Sequence, residues 1–386
     1  YYNVGQLPTS GQIFLRIDHF IHRPIIRTFF YKREVVMGDQ VRMLLVSGVL
    51  FLLSCGGEEQ EVVSGERQDD AEQIPVSLDG SLQNPAWSPD GDAIVMTRFR
   101  NGYNEEPADI FIVEVGDGSS RELVRDGSGN VNLPGAVWNG ETEQIVFSSS
   151  REPHDEIFVI DDGGDPGDEE PITDRDDLVA YEPSLSPDGE WVVFESHVLD
   201  EEDNGVIMRF RVDGSGDYEA LTDPDDDCRQ PNWSPAGGKI LYQRYADGEW
   251  NIWTINEDGS DPQQVTEGPG DSTDASFSPD GEWIVYSADR GELEFANIYV
   301  IPSDGGEPVR VTRYAGYDGA PSFSPDGTKI AFESFPGDPD DSAGTTLWVI
   351  HLGPVEIALL NDSHREIVPY RRIQLATNRV LPTSPV

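Results

Sequence analysis

Residues able to do chemistry stand at a fixed distance from a turn that this chain writes six times. Four residues before the turn anchors Ser88, Asn139, Ser186, Ser234, Ser278 and Ser324 are Asn84, Gly135, Glu182, Gln230, Asp274 and Ala320. Carboxylates and amides gathered round one axis could grip a partner. They could also hold a hard cation such as Ca²⁺ through oxygen ligands, with Glu182 and Asp274 as its charged pair. The favoured alternative is a solvated acidic rim whose carboxylates cap loop amides. Arg151 and Arg290 close the segments "SSSR" and "SADR", and Tyr103, Trp250 and Phe295 belong to the same set of loops. On an acidic surface, Arg and aromatic residues are the groups expected to seize a peptide or sugar. The plainer alternative is that each Arg pairs with a carboxylate of the neighbouring repeat.

Catalytic constellations are thin. Beyond the N-terminal region the histidines are His154, His197, His351 and His364, none in a zinc-ligand spacing, and no Gly-x-Ser-x-Gly elbow follows a strand. The enzymatic alternative is a lyase-type, metal-dependent carbohydrate-active protein that clusters His around its metal. His154 and His197 fall in different repeats without a third partner, so a non-catalytic role is expected, with no cofactor beyond the Ca²⁺ considered above. Cys228 lies among carboxylates with no His near it in sequence, which reads as an inert buried thiol.

Composition narrows the partners. The 386 residues include 73 acidic and 26 basic ones, a formal net charge of −47, so the surface repels nucleic-acid backbones and anionic lipid headgroups. Lysine occurs only at Lys32, Lys239 and Lys329. An Asp-rich, Lys-poor surface resembles those of proteins adapted to high salt, where screening suppresses self-repulsion; ordinary compositional bias is the competing account. The 37% hydrophobic content and 8 Trp separate the chain from disordered acidic sequences.

What must position these groups is a repeated unit. The anchors are 51, 47, 48, 44 and 46 residues apart. A short strand ending in Trp87, Trp138, Leu185, Trp233, Phe277 or Phe323 leads into "SPDG" or its variant. Pro presets φ, Asp bonds the following backbone and Gly takes the positive φ. β-Branched and aromatic runs follow, such as Trp191–Phe194 and Trp283–Tyr286. A third strand comes next ("DIFIVEV", "EIFVIDD", "VIMRFRV", "NIWTINE", "NIYVIPS", "TLWVIHL"), then an Asp-Gly turn and a short fourth. This period in an all-β pattern predicts a six-bladed β-propeller of four-stranded antiparallel blades over residues 73–356, monomeric because the ring buries its own sheet faces. "QIPVS", Gln73–Ser77, is expected to supply the fourth strand of blade six and close the ring.

The "WSPDG…IYV…DGG…LT" pattern resembles the WD-repeat-like units of TolB-type periplasmic proteins and of the propellers attached to prolyl-oligopeptidase-like peptidases. It covers about residues 82–350. The resemblance implies a non-catalytic part in an envelope assembly, binding a protein or glycan partner through the acidic channel face. Asn84, Glu182, Gln230, Asp274, Arg151 and Arg290 are the candidate contacts. No α/β-hydrolase domain and no N-terminal α/β domain of the TolB kind is evident. Copy two replaces the turn by "WNGETE", and after "LWVI" the acidic bias vanishes: either Val355–Leu360 is an irregular last strand or the reading frame has shifted near His351.

Residues 1–36 lack Met and fit no repeat, and are expected to be upstream translation. Met37 opens a segment with Arg42 ahead of the apolar run Met43–Leu53, too short to span a bilayer, so 37–54 reads as a signal peptide. "LLSC" resembles the lipobox of bacterial lipoproteins, which makes Cys55 the lipidated N-terminus. Residues 55–72 then form an acidic flexible tether, and 357–386 an irregular tail. The expected location is the bacterial cell envelope, lipid-anchored at the periplasmic face of the outer membrane.

Overall fold

The computed structural model describes residues 67–125, 131–132, 138–151, 154–199, 204–290, 293–337 and 344–353. Cys55, the signal segment, Gly135, His364 and the C-terminal tail lie outside them. The described residues form six antiparallel sheets arranged as a propeller. Blade one is β2 (Ser81–Trp87), β3 (Ala93–Phe99), β4 (Ala108–Glu114) and β5 (Ser120–Arg125). Blade two has a first strand in two pieces, β6 (Val131–Asn132) and β7 (Trp138–Asn139), then β8 (Gln144–Ser149), β9 (Glu156–Asp161) and β10 (Glu170–Pro171). Blade three is β11 (Leu178–Leu185), β12 (Trp191–Val198), β13 (Val206–Arg211) and β14 (Glu219–Ala220). Blade four is β15 (Asp227–Trp233), β16 (Lys239–Ala246), β17 (Glu249–Asn256) and β18 (Gln263–Gln264). Blade five is β19 (Ser272–Phe277), β20 (Trp283–Ala288), β21 (Asn297–Pro302) and β22 (Val309–Arg310). Blade six is β23 (Tyr317–Phe323), β24 (Lys329–Phe335), β25 (Thr346–His351) and, from the other end of the chain, β1 (Glu72–Gln73).

The closing strand is shorter than the sequence suggests and begins one residue earlier. Glu72 pairs with Val349 and Gln73 with Trp348, and Ile74 N–H still donates to Leu347 (2.9 Å). The ladder stops there because Pro75 has no N–H to give. Residues 67–72, assigned to the tether on composition, are docked on the loop that leads into blade six: Gln68 N–H donates to the Arg313 carbonyl (2.9 Å), and Asp69 accepts from Arg313 N–H (2.6 Å).

The second strands read as near-continuous apolar runs because each is packed on both faces by neighbouring blades. Ile94, Val95, Met96, Ile145, Val146, Phe147, Val192 and Val193 have no exposed surface. The apolar clusters cross the seams: Leu82, Trp87 and Met96 of blade one pack with Ala331, Leu347 and Val349 of blade six. The threonine that closes the fourth strand of a blade ties it to the third. Thr173, Thr222, Thr266 and Thr312 accept at Oγ1 from the N–H of Ile157, Ile207, Ile252 and Ile298 (2.7–3.0 Å).

The turn is a closed network. Ser186 Oγ donates to Asp188 (2.5 Å) and accepts from Trp191 N–H (2.9 Å), while Asp188 also accepts from Glu190 N–H (3.0 Å). These bonds, Ser186 first, hold the Asp188 carboxyl below the usual aspartate range. In copy two, Asn139 closes the turn differently, its Oδ1 accepting from Glu141 and Thr142 N–H (2.8 and 3.0 Å) and its amide donating to the Ser186 carbonyl across the seam (2.8 Å). Gly189 has φ +69°, and a Cβ there would stand 2.4 Å from Thr142 Cγ2 of blade two. Gly189→Val is therefore expected to destabilise by about 2 kcal/mol or more, from the left-handed φ alone before the clash. Urea unfolding measures it, and a midpoint equal to wild type would refute the reading.

Candidate functional site at the channel mouth

The first strand of a blade enters from the channel mouth, and four residues before its turn anchor the backbone breaks register. Asn84, Glu182, Gln230, Asp274 and Ala320 all have positive φ, from 45° to 53°, and the pairing of β2, β11, β15, β19 and β23 slips there. The left-handed region costs a non-glycine residue roughly 1 kcal/mol or more, so a device repeated five times has an offsetting gain. The gain is visible in three blades, where the freed N–H reaches the preceding blade. Asn84 N–H donates to Glu333 Oε2 (3.0 Å), Gln230 N–H to Glu195 Oε2 (3.1 Å) and Asp274 N–H to Gln230 Oε1 (3.3 Å).

Of the sequence-derived residues, Glu182, Gln230 and Asp274 form one chain of contacts, while Asn84 reaches Glu333. Gln230 links two of them directly, since its amide nitrogen donates to Glu182 Oε1 (3.2 Å) while its carbonyl serves Asp274. Asp274 Oδ2 also accepts from Ser287 Oγ (2.7 Å) and Thr273 Oγ1 (2.9 Å). Burial, and after it the nearby Glu195 carboxylate, raise the Glu182 pKa well above the ordinary glutamate range.

Sequence reasoning passed over the second layer. Nine residues after each anchor, on the second strand, stand Thr97, Ser148, Glu195, Gln243, Ser287 and Glu333. All six are buried. The "FES" of copies three and six was the available signal, an acid within an apolar run. Glu333 is 1% exposed and accepts at Oε1 from the hydroxyls of Tyr317 (3.2 Å) and Tyr103 (3.3 Å). Burial pushes its carboxyl up to about 8, with Asp274 adding to the effect and the Asn84 N–H opposing it. Burial also lifts both tyrosines far above their usual range.

On the blade-three and blade-four side, Glu195 Oε1 meets His197 Nε2 (2.7 Å), whose ring stands edge-on to Tyr181. Arg229 forms a double bond set with Asp227 (2.9 and 3.0 Å) and lies 5.3 Å from the centre of the Trp250 ring, which packs on Tyr245 (5.2 Å). The two large hydrophobic residues with substantial exposure among those described are Val198 (39%) and Tyr245 (44%). They occupy the mouth-side ends of β12 and β16, the second strands of adjacent blades.

Arg151 and Arg290 are placed elsewhere. Arg151 pairs with Glu169 of its own blade and lies over the Phe158 ring (4.8 Å). Arg290 donates to Tyr286 Oη (3.1 Å) and to the Glu267 carbonyl, bracing the loop between blades four and five. Several loop acids cap amides, as the rim reading expects: Asp271 accepts from Trp250 N–H (2.8 Å) and Asp223 from Asp225 N–H (3.0 Å). Among the described residues no group of three or more His, Cys, Asp or Glu is disposed to hold a metal ion. His154 is bonded to Glu156 (2.9 Å) within blade two. Cys228 is buried, and burial raises its thiol to about 12.

The family model described as the TolB beta propeller domain matches residues 60–247 and 214–332. Dipeptidyl-peptidase 5 of Porphyromonas endodontalis is 38% identical over 109 residues, 28% of this chain and 16% of the peptidase. The Tol-Pal system protein TolB of Francisella tularensis is 31% identical over 85 residues, 22% of this chain and 20% of that protein. A solved structure from Agrobacterium tumefaciens assigned as TolB superposes with a TM-score of 0.52 at 17% identity, covering 71% of this chain and 91% of its own. That last likeness shows the fold alone. The matched stretches span a fifth or less of the peptidase and of the Tol-Pal protein.

Proposed function

The chain belongs to the family of the TolB beta propeller domain, and from that premise we propose that it is a non-catalytic scaffold of the bacterial envelope. In this reading it is tethered through Cys55 and binds a protein partner at its channel mouth. One observation carries the proposal: Val198 and Tyr245 stand exposed at the ends of the second strands of adjacent blades three and four, and Tyr245 packs on the Trp250 ring, over which Arg229 lies. Aromatic and Arg residues supply most of the energy of protein interfaces. The surrounding carboxylates and the net charge of −47 select a basic segment. Glu182, Gln230 and Asp274 are engaged with one another, so they shape the wall behind that surface.

The test is capture from a bacterial envelope extract by wild type and by Trp250→Ala. The variant is expected to melt as wild type does and to lose the captured protein. Equal capture by both would place the interface elsewhere. In the same cells wild type is expected with the membranes and Cys55→Ser in the soluble fraction. Chelator-sensitive cleavage of a uronate polymer by the purified protein would replace the scaffold reading with the lyase-type one.

A further inference from the structure

We propose that the loop between β3 and β4 of blade one, residues 100–107, is a lid on one side of the channel mouth that opens when Glu333 gives up its proton. The loop holds its own shape. Arg100 N–H donates to the Pro107 carbonyl (3.0 Å), Glu105 N–H to the Gly102 carbonyl (3.3 Å), and the Asn101 amide to the Glu106 carbonyl. Its root is fixed to blade one, where the Arg100 guanidinium bonds both oxygens of the buried Asp109 (2.7 and 2.6 Å). The segment can therefore swing as a unit about that root.

Its tip is held by another blade. Among the described residues, the Tyr103 hydroxyl bonds only to blade six: it donates to Glu333 Oε1 (3.3 Å) and meets the Tyr317 hydroxyl (3.3 Å), the two rings standing edge to face at 6.1 Å. Tyr317 donates to the same carboxyl oxygen (3.2 Å). All three separations exceed the usual range for a hydroxyl donor, so the tip is held loosely. Blade six is shaped for this contact. Gly319 stands where blades one, three, four and five carry Gln83, Tyr181, Arg229 and Thr273, and a Cβ there would lie 1.9 Å from the Tyr317 hydroxyl.

Glu333 is the ionisable group beneath the tip. Facing it are the Asn84 N–H from β2 (3.0 Å), Tyr317 from β23, Tyr103 from the lid and the Asp274 carboxylate from β19, and the lid itself carries the exposed Glu105 and Glu106. No cationic side chain among the described residues bonds Glu333. With the lid closed it is 1% exposed, and burial outweighs its three donors, so the closed form keeps the acid neutral. An ionised Glu333 needs water, because an unpaired buried carboxylate facing a second one is costly. Asn84, Tyr317 and Asp274 sit on paired strands, which leaves the Tyr103 loop as the shield that can move. The closed form holds a proton that the open form releases. The open population therefore rises by up to tenfold per pH unit between the ordinary glutamate value of 4.5 and about 8, and levels off above it. Opening presents a new carboxylate to the channel mouth.

The experiment follows the protein labelled with ¹³C at the hydroxyl-bearing carbon of tyrosine, in the presence of a neutral gadolinium chelate that relaxes signals reached by solvent. Tyr103→Phe identifies the Tyr103 signal by its loss. Between pH 5 and pH 8.5, below the range in which ordinary tyrosines ionise, relaxation of that signal by the chelate is expected to rise at least about threefold as the open form gains population. In Glu333→Gln it is expected to stay level over the same range. Asp274→Asn, which removes the like charge facing Glu333, is expected to move the rise to lower pH, and it serves as the second variant if Glu333→Gln does not fold. A Tyr103 signal equally shielded at both pH values overturns the proposal. So does an equal rise in Glu333→Gln, or a rise in Asp274→Asn at the wild-type pH.

Discussion

Arg67→Ala is expected to lower the unfolding free energy by about 3–5 kcal/mol, because it leaves a buried carboxylate without its counter-charge. The Arg67 guanidinium holds Asp318 with two parallel bonds (2.9 and 2.8 Å), reaches Ser334 Oγ (2.9 Å) and bonds Asp69 (3.0 Å). Its plane also lies over the rings of Tyr314, Trp348 and Phe332 at 4.6, 4.7 and 5.1 Å. The Asp318 side chain has no exposed surface, and burial lifts its pKa despite Arg67. Arg67 thus latches the segment that carries β1 onto blade six, and the cation closes the ring as much as the two-residue strand does. Arg67→Lys is expected to recover only part of the loss, since an ammonium cannot reproduce the planar fork or the stacking. Denaturant unfolding of wild type, both variants and Arg67→Ala/Asp318→Ala gives the coupling energy. A single-variant loss under about 1 kcal/mol would mean the latch is ornamental, as exposed ion pairs generally are.

The second large effect concerns pH. In the folded protein Glu333 gives up its proton near 8, against the ordinary glutamate value of 4.5. Between these values the native state holds a proton that the unfolded chain has released, so stability falls as pH rises across that window and levels off above it. The cost at high pH is a few kcal/mol, roughly 1.4 kcal/mol for each pH unit between the two values. Glu333→Gln removes the charge and keeps one oxygen for the Asn84 N–H, while its amide NH2 faces the Tyr103 and Tyr317 hydroxyls, which can turn to accept. Its advantage over wild type is expected to be small near pH 4.5 and to grow through pH 8. A pH-independent difference between the two would show that Glu333 ionises freely.

The blade count, the strand order and the turn were legible because each rests on local chemistry. Ser186, Pro187, Asp188 and Gly189 need only one another to make their turn, and a second strand such as Trp191–Phe194 declares its burial through its own side chains. The four channel positions were also legible, since a fixed offset from a repeated turn places them equivalently in every blade. Their roles were not. The positive φ of Glu182 or Gln230 leaves no trace in residue type, because it answers a need of the adjoining blade for an N–H. The contacts of Arg151 and Arg290 were not legible for a related reason, as Glu169 and Glu267, to which they bond, lie 18 and 23 residues away.

The sequence by itself determined the repeating unit: period, turn, strand identity and the acidity of the rim all follow from contacts within a few residues or from bulk composition. Only the tertiary structure decided which polar groups meet. Arg67 and Asp318 are separated by 251 residues, Tyr103 and Glu333 by 230, Trp87 and Ser322 by 235. Closing the ring brings the first blade against the last. It removes water from Glu333 and Asp318, which is what moves their protons. Desolvation and seam geometry belong to the ring as a whole, and a single copy of the repeat contains neither.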